Sequence, residues 1–74
     1  MWKRIKLNWM LFRYGKRIEH PENGLYFVKI GLLGIDNIHY HNRLVTYKSK
    51  WTYLNGDELQ LSSFIFIESG IRIN

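Results

Sequence analysis

The sequence predicts a mainly β fold, either a small antiparallel barrel or a strongly twisted meander of four to five strands, with an N-terminal segment that has a helical alternative. Three observations lead there. Runs rich in Val, Ile, Thr, Tyr and Phe recur after residue 24, at strand length and separated by turn residues. Asn-Gly steps at Asn23-Gly24 and Asn55-Gly56 supply turn chemistry. Alanine, the best helix former, is absent.

The first element is the ambiguous one. Residues 2–14 read WKRIKLNWMLFRY. Alternation puts Ile5, Leu7, Trp9 and Leu11 on one face of a strand, with Arg4, Lys6, Asn8 and Met10 on the other. Helical spacing instead puts Trp2, Ile5, Trp9 and Phe12 on one stripe, with Gly15 as a C-cap. A helix here has no N-cap residue, and its first turn is positive, which opposes the dipole. The strand is the preferred reading.

Gly15-Lys16-Arg17 turns the chain, and His20–Gly24 is a loop. Leu25–Leu33 has two largely apolar rows and reads as a central strand, with Gly31 marking a bulge or a close approach. Gly34–Asn37 is the next turn. The β-rich stretch Ile38–Leu54 is too long for one flat strand and is expected to bend or bulge near Lys48–Lys50. Asn55-Gly56-Asp57 is the best hairpin signal. Its return arm, Glu58–Glu68, sets Leu59, Leu61, Ile65 and Ile67 against Phe64 and Phe66. Ser69-Gly70 turns again, and Ile71–Ile73 closes the fold.

Seventy-four residues make a single small β domain, with a basic N-terminal element at residues 1–17. So short a chain buries little surface, and three Trp, five Tyr and four Phe supply bulk for its core. The net charge of +5 is concentrated at one end. Residues 1–17 hold Lys3, Arg4, Lys6, Arg13, Lys16 and Arg17 and no acid; the rest of the chain is near −1. Such a patch attracts phosphates, anionic lipid or an acidic protein surface. The plainer reading is a solvated polar face.

Several chemistries are excluded or lack support. No Cys is present, so disulfides, thiolate metal sites and a Cys nucleophile are out, and a cytoplasmic setting is favoured. Apolar runs fall far short of a bilayer span. His39 and His41 would share a strand face, but a zinc site needs further ligands, which Glu19, His20 and Asp36 supply only if the fold brings them near, so no metal and no cofactor is assigned. The serines sit in no nucleophile elbow, no Gly-rich phosphate loop precedes a helix, and no carboxylates are paired for acid–base work. No catalytic residue is named, and the chain is expected not to be an enzyme.

A binding module remains. One row of the long β stretch holds His39, His41, Arg43, Tyr47, Trp51 and Tyr53, with stacking planes and cations suited to single-stranded nucleic acid. The competing role for Tyr47, Trp51 and Tyr53 is core. The expected contact residues are Lys3, Arg4, Lys6, Arg13, Lys16, Arg17, Arg43, Tyr47 and Trp51, and the expected partner is nucleic acid or a nucleic-acid-handling protein. The alternative is an inhibitor that docks on a host defence or replication protein. The Ala-poor composition suggests an AT-rich reading frame of the phage type, and Trp, Tyr and Arg are favoured at interface hot spots. A homodimer through strand edges is a further expectation.

Overall fold

The computed structural model describes residues 2–74, and their side chains from residue 5 onward. The chain is mainly β: one helix, α1 (Trp2–Tyr14), precedes strands β1 (Gly24–Leu33), β2 (Ile38–Tyr47), β3 (Trp51–Tyr53) and β4 (Ile65–Arg72). The four strands form one antiparallel sheet in the order β3-β2-β1-β4, a twisted meander that does not close into a barrel. β1 is central, as its two apolar rows predict.

The preferred strand at residues 2–14 is corrected to a helix. The reason lies in the sheet. β1 is apolar on both faces, and each needs a cover. On one face Tyr26, Val28 and Ile30 join Val45, Trp51 and Leu59, with Ile18, Tyr47, Tyr53, Ile65 and Ile67 packed around them. On the other, Phe27 pairs with Leu44 and Ile71 and is 1% exposed. Helix α1 packs along β1 and β4 and buries Leu11. Tertiary burial outweighs poor capping, as it usually does for a helix this short. Gly15 ends α1, its N–H reaching the Leu11 carbonyl at 2.8 Å.

Two further expectations change. The return arm of the last hairpin is not one strand. It meets β3 at an isolated bridge, Glu58 opposite Thr52, and Leu59 drops into the core. Ser62 then turns the chain: its N–H donates to the Ile65 carbonyl (2.9 Å) and its Oγ accepts from the Phe64 N–H (3.1 Å). The chain is thereby sent across to the far side of β1. Ser69-Gly70 lies inside β4, not in a turn. Gly70 is needed there because a Cβ would press on Ile18 and Val28.

Other turns fall where expected. Asn55-Gly56 turns with Gly56 at φ 98°, and Asn55 Oδ1 accepts from the Asp57 N–H at 2.9 Å. The break at Lys48–Lys50 is a three-residue connection with Ser49 at φ 67°. The register shift between Lys29 and Ile30 is a bulge in β4. Beside it, a Cβ on Gly31 would overlap the ring of Phe66, so Gly31 provides the close approach its position suggests.

Candidate nucleic-acid interface

The helix docks with one side and leaves an apolar stripe outward. Leu11 is buried and Leu7 and Met10 are half-buried, whereas Ile5, Trp9 and Phe12 are 62%, 56% and 88% exposed. Residues three and four apart share a helix face, so these three form one continuous strip. Tyr14 is also exposed and meets Trp9 edge-on, with ring centroids 6.0 Å apart. Ile5, Trp9 and Phe12 are three of the four residues that helical spacing in the sequence groups as a stripe; the side chain of the fourth, Trp2, lies outside the described residues. The direction of the stripe is the surprise, because an apolar stripe ordinarily faces the core.

Lys6 and Arg13 are exposed on the same helix. Lys16 and Arg17 follow it, also exposed, where the chain crosses the outer edge of β4. Two backbone bonds fix that crossing: the Lys16 N–H donates to Gly70 O (3.1 Å), and the Gly70 N–H donates to Lys16 O (2.9 Å). The side chains of Lys3 and Arg4 lie outside the described residues.

The remaining expected contact residues separate from this group. Trp51 is 8% exposed and belongs to the core, edge-on to Tyr26 and Tyr47 at 5.1 and 4.9 Å. Tyr47 is half-buried beside it. Trp51 thus takes the core role that competes with contact in the sequence, and Tyr47 packs its ring against it. Arg43 is exposed but pairs with Val28, so it points from the sheet face opposite α1, with His39 and His41. The expected strand row does share one face. Ile18 and Leu59 cover its Trp51 end and leave its His39 end open. Among the described residues no group of three metal-ligating side chains gathers.

The electrostatics favour the helix end. Among the described residues the ion pairs are Lys50–Glu58 (3.2 Å) and Arg72–Glu22 (3.3 Å), both exposed. None involves Lys6, Arg13, Lys16 or Arg17. The C-terminus of α1 carries roughly half a negative charge, which Arg13, Lys16 and Arg17 more than offset. The excess positive charge lies on the surface.

The edges of the sheet are partly capped, β4 by Lys16 at Gly70 and β3 by Glu58 at Thr52. Such caps discourage edge-to-edge pairing. Among the described residues no helix is long and apolar enough to cross a membrane.

The fold and surface together define a small helix-covered antiparallel sheet with a basic, aromatic helix face. No protein-family model matches the chain, and no curated protein or solved structure is significantly similar to it.

Proposed function

We propose that this chain is a non-enzymatic module that binds single-stranded nucleic acid, alone or within a nucleoprotein, through the outward face of α1 and the basic turn after it. One observation carries the reading: exposed aromatic rings and cations without ion-pair partners among the described residues share one element. Trp9, Phe12 and Tyr14 supply planes on which bases stack, each worth roughly 1–3 kcal/mol. Lys6, Arg13, Lys16 and Arg17 supply phosphate contacts. The aromatic part of the interface thus moves from the strand row to the helix, and Arg43 is left out of it. A cytoplasmic setting belongs to this reading.

Fluorescence polarisation with short labelled DNA and RNA strands tests it, with anionic vesicles as a competing partner. Binding at micromolar protein that weakens with salt supports the proposal. Vesicle binding without strand binding, or no binding at low salt, overturns it.

Ile5 and Phe12 favour a second reading, an inhibitor that docks on a protein, because aliphatic surface contributes nothing to phosphate contact and Trp and Arg are hot-spot residues. Recovery of one specific protein from nuclease-treated lysate, lost in Phe12→Ser, would favour that reading.

A further inference from the structure

We infer that the cavity between α1 and the sheet is a binding site for a terminal phosphate group. The cavity measures about 250 Å³. Asn8, Leu11 and Phe12 line it from the helix, and Lys29, Asn42 and Ser69 line it from the sheet. The sheet residues form one row: Lys29 on β1 lies opposite Asn42 on β2 and Ser69 on β4. An amine, an amide and a hydroxyl therefore cross three strands side by side, next to the apolar row of Phe27, Leu44 and Ile71. The three are half-buried, so their polar groups stay accessible to water or to a ligand.

Among the described residues one side-chain hydrogen bond engages the row. Asn42 Nδ2 donates to Asn8 Oδ1 at 2.9 Å. That leaves the second Asn42 N–H, the Asn8 amide N–H groups, the Ser69 hydroxyl and the Lys29 ammonium as donors. Lys29 is half-buried, its Nζ 5.3 Å from the centroid of the Tyr40 ring, and among the described residues no carboxylate lies within ion-pair distance of it. No acidic residue lines the cavity. A donor-rich set around one cation suits a compact oxyanion with several acceptor oxygens. It repels a metal ion and leaves its polar groups unmatched against an apolar ligand.

The cavity is bounded by helix on one side and sheet on the other. A terminal phosphate enters with one ester arm, whereas an in-chain diester would have to bring two. Phe12 and Gly15 line the cavity, so it lies at the end of α1 that leads into Lys16 and Arg17. This inference rests on the nucleic-acid reading for its source of phosphate, because a strand held on α1 has its end within reach. Free phosphate presents the same group.

Two titrations test the site. The first follows backbone amide shifts while inorganic phosphate is added to the wild type, Lys29→Met and Ser69→Ala. The expected result is saturable shifts at Lys29, Asn42 and Ser69, weakened about tenfold or more in K29M, equivalent to about 1.4 kcal/mol, and by less in S69A. S69A keeps the test valid should K29M fold poorly. No saturable shift in the wild type, or equal affinity in both variants, overturns the site. The second compares 5′-phosphorylated with 5′-hydroxyl strands. Tighter binding of the phosphorylated strand, lost in K29M, supports the strand end as the source. Equal binding of the two strands, with inorganic phosphate still saturating the row, supports the site and names free phosphate as its ligand. The 5′-hydroxyl strand alone reports on the proposed function, so the two failures are distinguishable.

Discussion

Charge removal from the basic turn has a calculable effect on binding. The triple variant Arg13→Gln, Lys16→Gln, Arg17→Gln removes three exposed cations that have no ion-pair partner among the described residues. For a single strand the log–log dependence of affinity on salt has a slope of about −0.7 for each phosphate neutralised. The four described cations of the interface therefore give about −2.8, and the triple variant retains about −0.7 of that. Between 50 and 200 mM salt this corresponds to roughly a fiftyfold loss of affinity for the wild type and roughly a threefold loss for the variant. Lys3 and Arg4 add equally to both slopes if they engage, so the difference of about 2 is the quantity to measure. Polarisation titrations at several salt concentrations measure it. Only the dipole contribution of Arg13 and its neighbours touches stability, at about 0.3–1 kcal/mol each, so a thermal melt separates folding from binding. An unchanged slope in a folded variant refutes the assignment of these cations to phosphate contact.

Four other outcomes follow from the same structure. Phe12→Ser removes a ring that is 88% exposed; strand affinity should fall by roughly 1–3 kcal/mol, while the melting temperature barely moves, and a large loss of stability would show that the ring packs. Arg43→Gln should leave strand affinity within about twofold, because Arg43 lies on the sheet face opposite α1; a tenfold loss in polarisation would restore the strand row as contact surface. Phe27→Ala should cost about 3–5 kcal/mol in chemical denaturation, a large share of the roughly 4–11 kcal/mol typical of a domain this size; a cost below 1 kcal/mol would contradict burial beneath α1. Gly31→Ala should destabilise by about 1–3 kcal/mol through overlap with Phe66, and adding Phe66→Leu should recover part of it, so strictly additive losses would show that the two residues do not touch.

Much of the sheet is legible in the sequence because its signals are local. The apolar rows of Leu25–Leu33 can be satisfied only in the middle of a sheet, and Asn55-Gly56 can hardly do anything but turn. The position of Gly31 signals a close approach without naming Phe66. What is not legible depends on segments distant in sequence. Alternation states that Arg43, Tyr47 and Trp51 share a face, but not that Ile18 and Leu59 cover only one end of it. The choice between stacking surface and core for Tyr47, Trp51 and Tyr53 therefore stays open in the sequence, and burial of Trp51 is visible only in the fold. The N-terminal segment misleads for a related reason. It is apolar on two sides, through Leu7 and Leu11 on one and Ile5, Trp9 and Phe12 on the other. The sequence pattern cannot say which side meets the sheet. Capping and dipole arguments against the helix are each worth about a kilocalorie, less than burial of Leu11 provides. The basic cluster itself is legible without any structure, because charge order along the chain needs no fold.

The central claim is that contact is made by the outward face of α1 and the turn that follows it. A map of backbone amide shifts during titration with a short 5′-hydroxyl strand tests this most directly. The largest shifts are expected within residues 5–17, with His39, His41 and Arg43 unmoved. Shifts centred on His39–Arg43, with α1 silent, would contradict the claim.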